Sequence, residues 1–216
     1  MYQLDANAAR HADTAGATIK EIGKYVGEFL QAQDIKTKKG GRGVSFIFKS
    51  AGGQKANLAI YTTGASGEHY QGYDALMAIM TCMQLRSIQP QPGKVTRYDY
   101  EAKKEVQEDG TLFPDLHKPI GVLLETEDYE KQDGSVGTRM VIKNVFQPST
   151  ELTASEILDK KTQPGMLAKM VEGLRHRPLK GARPEAPRAE DSAGGPPAGH
   201  PASSGFDGMD DDSIPF

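Results

Sequence analysis

From Lys24 to Gln33 the side chains alternate in twos, with Val26, Leu30 and Ala32 on one face and Tyr25, Phe29 and Gln31 on the other, which predicts a strand. Residues 44–49, rich in Phe and Ile, predict a second strand, and residues 56–62 a third with Leu58 and Ile60 on one face. Residues 36–43 form a glycine-rich turn between the first two, and Ala51-Gly52-Gly53-Gln54 is a tight-turn signal between the second and third. After residues 64–67 the period changes. Tyr73, Leu76, Ile79, Met80 and Met83 recur at helical spacing, and Asp74 sits near the start, where the helix dipole favours an acid. Residues 87–118 are polar and Pro-containing, an insertion predicted to hold one short strand around residues 95–100. Two further strands are predicted over residues 120–127 and 138–146, joined by the turn-prone Gln132-Asp133-Gly134-Ser135. Thr153-Ala154-Ser155-Glu156 has capping-box spacing, and Pro164 stands at the first position of a last predicted helix with Leu167, Met170, Val171 and Leu174 as its buried stripe. Residues 1–18, Ala-rich and polar, predict an arm or a short helix.

The chain is therefore expected to be mainly β with accessory helices. Three strands, a helix and two strands is the order of a five-stranded OB-fold barrel with its helix between strands 3 and 4. A generic α+β sheet of the same elements satisfies the same periodicity. The expected division is a body of residues 1–180 and a tail of residues 181–216. The tail holds 6 Pro and 6 Gly, and its only strongly apolar residues are Phe206, Met209, Ile214 and Phe216. Such a segment buries too little surface to offset its ordering entropy, so it is expected to be disordered.

Charge adds a polarity that the net value of -3 conceals. Residues 1–55 carry 9 basic and 5 acidic side chains, residues 99–133 carry 4 and 11, and the tail carries 2 and 7. An anionic ligand is thus expected on the surface built by the first third. Cys82 is the sole cysteine, which excludes an intrachain disulfide and a thiolate metal cage. No run has the length of a membrane span and the N-terminus lacks a signal-peptide pattern, so a cytoplasmic setting without membrane partners is expected. The five histidines have no metal-ligand spacing and no phosphate-binding glycine motif is present, so no cofactor, metal or catalytic residue is expected. The acids of the insertion, among them Glu105, Glu108 and Asp109, read as a solvated face. A metal-dependent nuclease built on them is the weaker alternative.

The candidate binding residues follow from this polarity. In OB-folds the loop between the first two strands commonly grips nucleic acid, and here it carries Lys36, Lys38, Lys39 and Arg42, with Lys24 on the preceding strand. A solvated hairpin tip is the bland reading of the same lysines. Single-strand binding also needs aromatic faces for base stacking. Outward alternation offers Tyr25, Phe29 and Tyr61, with Asn57 beside the last. Phe46 and Phe48 share a face with Val44, which favours the core, and turning that strand over would make them the stacking platform instead. Arg139 and Lys143 share a face of the last strand and add phosphate contacts.

The chain ends in Asp210-Asp211-Asp212-Ser213-Ile214-Pro215-Phe216, acids followed by an apolar tripeptide. Phe216 and Ile214 suit an apolar pocket, the aspartates and the terminal carboxylate suit Lys or Arg, and Pro215 limits the entropy lost on docking. This tip resembles the partner-binding end of bacterial and phage single-stranded-DNA-binding proteins, with Ser213 inserted after the acids. The body resembles a phage family of such proteins over residues 23–32, 38–48, Tyr61-Thr62-Thr63 and 121–146 leading into the capping box. The resemblance implies an OB-fold, coating of single-stranded DNA in phage replication, recombination and repair within a bacterial cell, and recruitment of replication or recombination enzymes by the tip. It carries no catalytic residues. A homodimer is compatible with it, and a strand-annealing recombination mediator is the rival within the same class.

Overall fold

The computed structural model of the protein describes residues 18–99, 104–131 and 133–179. The expected N-terminal arm and the whole tail with its tip lie outside the described residues. Three strands come first, β1 (Gly23–Lys36), β2 (Arg42–Ser50) and β3 (Lys55–Thr63), each antiparallel to the next. Helix α1 (Gln71–Cys82) follows, then the hairpin β4 (Gln91–Asp99) and β5 (Lys104–Leu112). A second antiparallel pair, β6 (Pro119–Glu130) and β7 (Val136–Phe146), leads to the short helices α2 (Ala154–Leu158) and α3 (Leu167–Glu172).

The strands form one mainly antiparallel sheet of seven, one more than the five barrel strands and the short insertion strand expected. The inner edge of β1 pairs with β2, while its other edge pairs with β6 over residues 23–28 and bridges β5 at Gln33. The sheet therefore branches at β1: β3-β2-β1 continues to β5-β4 through the Gln33 bridge and to β6-β7 along residues 23–28. Among the described residues no hydrogen-bonded pairing joins β3 to β7, so the sheet is not closed into a barrel.

The added strand is β5, within the segment expected to hold a single strand. Its sequence, Lys-Glu-Val-Gln-Glu-Asp-Gly-Thr-Leu, lacks apolar alternation, because its hairpin buries little beyond Val95. Cross-strand charge supports it instead, with Lys94 Nζ 2.7 Å from Asp109 Oδ1 and Arg97 Nε 3.7 Å from Glu108 Oε1. The hairpin is tied to β1 by Gln31, whose side-chain amide donates to the Thr96 carbonyl (3.2 Å) and accepts from the Thr96 N–H (2.8 Å). One side chain thereby stands in for a rung of sheet.

The core lies between the sheet and α1. Val44, Phe46 and Phe48 of β2 meet Ala56, Leu58 and Ile60 of β3, and Leu76, Ile79, Cys82 and Met83 close the other side. Phe29 stacks on Phe46 with centroids 4.3 Å apart and meets Phe48 edge-on at 5.9 Å. Each such pair is worth about 0.5–1.5 kcal/mol beyond the area it buries. A smaller cluster on the other face of β6–β7 packs Leu123 and Phe146 against Leu167 of α3, with Met170, Val171 and Leu174 around it.

Strict alternation in β1 put Phe29 outside, and the structure reverses this. The register slips between Phe29 and Gln31, so Leu30 bulges out at 40% exposure while Phe29, at 1%, and Ala32 both point inward. The last helix also begins later than Pro164. Glu156 is the cause: its Oε1 accepts the N–H groups of Gly165 (2.7 Å) and Met166 (3.0 Å), holding that stretch as a loop. Its Oε2 accepts from the Thr153 N–H (3.0 Å) and hydroxyl (2.9 Å), completing the capping box. These donors, led by the Thr153 N–H, hold the buried Glu156 carboxyl down to about 2.

Candidate nucleic-acid interface

The β1–β2 connection is built by its own backbone. The Thr37 N–H donates to the Gly41 carbonyl (2.8 Å), the Gly40 N–H to the Thr37 carbonyl (3.0 Å), and the Gly41 N–H to Thr37 Oγ1 (2.9 Å). Gly40 takes φ of +90°, a conformation that side chains disfavour. This tight turn leaves Lys38 and Lys39 exposed at the tip and Lys36 exposed at its base. None of the three has an ion pair among the described residues. Arg42 differs, because its Nη2 lies 2.9 Å from Asp34 Oδ2 across the β1–β2 ladder.

The outward face of β2 and β3 continues from this loop. Ser45 opposes Ala59, Ile47 opposes Asn57, and Gly43 opposes Tyr61, so the strip carries no carboxylate. Asn57 is exposed and Tyr61 is 41% exposed, and the tyrosine is the strip's one aromatic ring. At the far end Lys49 directly opposes Lys55, both exposed, with Glu28 of β1 on the other side of Lys49. Like charges in directly opposed positions destabilise a sheet unless an anion comes between them. Alternation alone would have placed both lysines on this face, beside the tight turn they flank.

The expected aromatic platform is smaller than the sequence suggested. Phe46 and Phe48 are fully buried beside Val44, so the inward register holds, and Phe29 joins them as a core residue. Tyr25 is half-buried, its hydroxyl donating to the Glu21 carbonyl (2.9 Å), and burial with the nearby Glu21 charge raises its pKa. Lys24 is occupied: its Nζ lies 2.5 Å from Glu151 Oε1 and 5.3 Å from the Phe146 ring centroid. Arg139 is occupied as well, giving Nε and Nη2 to Glu127 Oε2 (3.1 and 2.8 Å) over the Tyr129 ring.

Lys143 stands apart from Arg139, although both belong to β7. The register with β6 slips so that Leu123 pairs with Asn144 and Leu124 with Ile142, leaving Lys143 as the bulged residue. It is exposed and lines a cleft of about 910 Å³ along the unpaired seam between β3 and β7. Tyr61 lines the same cleft, which is therefore continuous with the β2–β3 strip. The other walls are the approach to α1, with Tyr70, Gln71 and Asp74, and Arg177, whose Nε lies 2.6 Å from the buried Glu125 Oε2. Gly72 makes the junction possible: a Cβ there would sit 2.1 Å from the Tyr61 carbonyl oxygen. His69, also on the cleft wall, stacks on Tyr73 with centroids 3.9 Å apart.

Tyr70, Arg177, Lys49 and Lys55 are the members that sequence reasoning missed. Only the two lysines had a local signal. No group of three or more His, Cys, Asp or Glu among the described residues is placed to hold a metal ion. Cys82 is a core residue whose thiol burial pushes up to about 12. No helix among the described residues is long and apolar enough to cross a membrane. No protein-family model matches the chain, and no curated protein matches it at a significant level.

Proposed function

We propose that this chain is a single-stranded-DNA-binding protein that coats its strand with little sequence preference. It works from an OB-type arrangement in which β1, β2, β3, β6 and β7 are the five barrel strands and the β4–β5 hairpin is an insertion. The single observation that carries the reading is the carboxylate-free strip Ser45, Ile47, Asn57, Ala59 and Tyr61, running between Lys36, Lys38 and Lys39, which have no ion pair among the described residues, and the opposed Lys49 and Lys55. Cations at both ends of a neutral strip suit a flexible polyanion better than a compact ligand. With one exposed tyrosine on the strip, phosphate contacts outweigh base stacking there, which fits weak sequence preference. The sequence of the tip supports recruitment of replication or recombination enzymes through Ile214, Pro215, Phe216 and the three aspartates. The setting that suits these features is phage DNA metabolism in a bacterial cytoplasm.

The test is an anisotropy titration of labelled single-stranded and duplex oligonucleotides at rising salt. The single strand is expected to bind more tightly. About four to five phosphate contacts give a slope of log affinity against log salt near -3. Equal affinity for both forms would overturn the proposal.

A further inference from the structure

The seam cleft shares two residues with the phosphate-tracking strip, Ala59 and Tyr61, and its chemistry differs from that of the strip. Three exposed rings lie on its walls, Tyr61 at the end of β3, His69, and Tyr70 just before α1, the last 46% exposed. Its polar lining includes Gln71 and Asp74, groups that match the edge of a base, whereas the Asn144 amide is turned to Met170 and the Val145 N–H. Its charge is nearly balanced, since Arg177 is already joined to Glu125 and Asp74 offsets Lys143. A volume near 910 Å³ falls within the range of about 300–1,000 Å³ typical of small-molecule sites. A site with aromatic walls, mixed polar groups and one cation outside an ion pair, Lys143, suits an aromatic heterocycle with one adjoining phosphate. A run of backbone phosphates would want the opposite composition.

The residues that face the cleft are also re-aimed by irregular backbone. Lys143 is the bulged residue of β7, and the β2–β3 register slips between Arg42 and Gly43, directly opposite Tyr61. Bulges at such places redirect a side chain at the expense of ladder pairing. Resting on the DNA-binding reading, we infer that this cleft takes an unstacked nucleobase of the bound strand, held against Tyr61 and Tyr70, with the adjoining phosphate on Lys143. A strand lying along the strip between the Lys36–Lys39 turn and the Lys49–Lys55 end turns one nucleotide into the seam at Tyr61. That base leaves the flat strip at the position where β3 and β7 fail to pair.

The experiment is photocrosslinking of the full chain to a single-stranded oligonucleotide carrying 5-iododeoxyuridine, with the crosslinked peptides identified by mass spectrometry. Crosslinks to Tyr70 or Tyr61 are expected. Tyr70→Ala should abolish its own adduct and weaken binding about tenfold, the scale of one lost base–aromatic stack, while Tyr70→Phe retains affinity. The phenol hydroxyl bonds only the exposed Glu68 (3.2 Å), so neither variant threatens the fold, and unchanged thermal melting checks this. Wild-type binding with adducts confined to the β1–β2 turn, and with Tyr70→Ala unimpaired, would overturn the cleft while leaving single-strand binding intact. Absence of wild-type binding would overturn both.

Discussion

The β2–β3 and β4–β5 pairs are both antiparallel, built from strands of nine residues, and both carry several cations, yet they use them in opposite ways. In β2–β3 one face is the protein core and the other leaves Lys49 and Lys55 opposed, with the free lysines of the turn beyond. In β4–β5 almost nothing but Val95 is buried, and Lys94 and Arg97 each face an acid across the ladder. The first pair is stabilised by apolar burial and can leave Lys49 and Lys55 without an ion pair among the described residues, although Arg42 is held by Asp34. The second has little apolar surface to offer, so its charges are consumed in holding the hairpin together. What matters for an anionic ligand is thus the number of cations that the fold does not already use, rather than their total.

The comparison can be broken most severely through the core. Phe46→Ala is expected to cost about 3–5 kcal/mol of global stability by urea unfolding, whereas Val95→Ala should cost about 1–2 kcal/mol and act on the hairpin. Equal losses would mean that the hairpin is as integral as β2–β3. Next in size is the loop that Glu156 anchors. Glu156→Ala orphans the N–H groups of Gly165 and Met166 and should cost about 2–3 kcal/mol near neutral pH. The folded carboxyl sits at about 2, below its ordinary 4.5, so its stabilisation is complete above about pH 4.5 and fades as pH falls toward 2. The gap between wild type and Glu156→Ala should therefore narrow on acidification, and a gap that widened would reverse the sign of the argument.

Binding sharpens the contrast at the next scale. Replacing Lys36, Lys38 and Lys39 by Gln should weaken single-strand binding more than tenfold and flatten the salt slope by about 2, since each lost phosphate contact removes about 0.7. Lys94→Gln with Arg97→Gln should change affinity less than about twofold, because those cations are already spent. Comparable losses from the two sets would erase the distinction. The smallest effect expected is local. Gln31→Ala removes the two bonds that hold Thr96, a loss of about 1 kcal/mol, and should speed hydrogen exchange in β4 while leaving β2 and β3 protected.

Much of this was legible wherever a local rule was sufficient. Leu58 and Ile60 lie inward as their alternation required, Phe46 and Phe48 follow Val44 inside, and the Thr153–Glu156 box closes with both of its hydrogen bonds. Legibility failed at Phe29, where one bulged residue inverted the faces of β1, and at β5, whose polar sequence pairs through partners rather than through its own periodicity. Of the cations singled out beforehand, Lys24, Arg42 and Arg139 are engaged by Glu151, Asp34 and Glu127, each presented by another element of the fold.

By itself the sequence determined the first three strands and the position of α1, and it placed a cluster of lysines on one tight turn. Those features depend on side-chain period, turn chemistry and charge density within a few residues. The tertiary structure alone decided which cations remain available, where the strands slip register, and that β3 and β7 stay unpaired around a cleft. The reason is physical: a bulge or an ion pair is settled by what the partner strand presents at that height, and a strand's own residues carry no record of its partner.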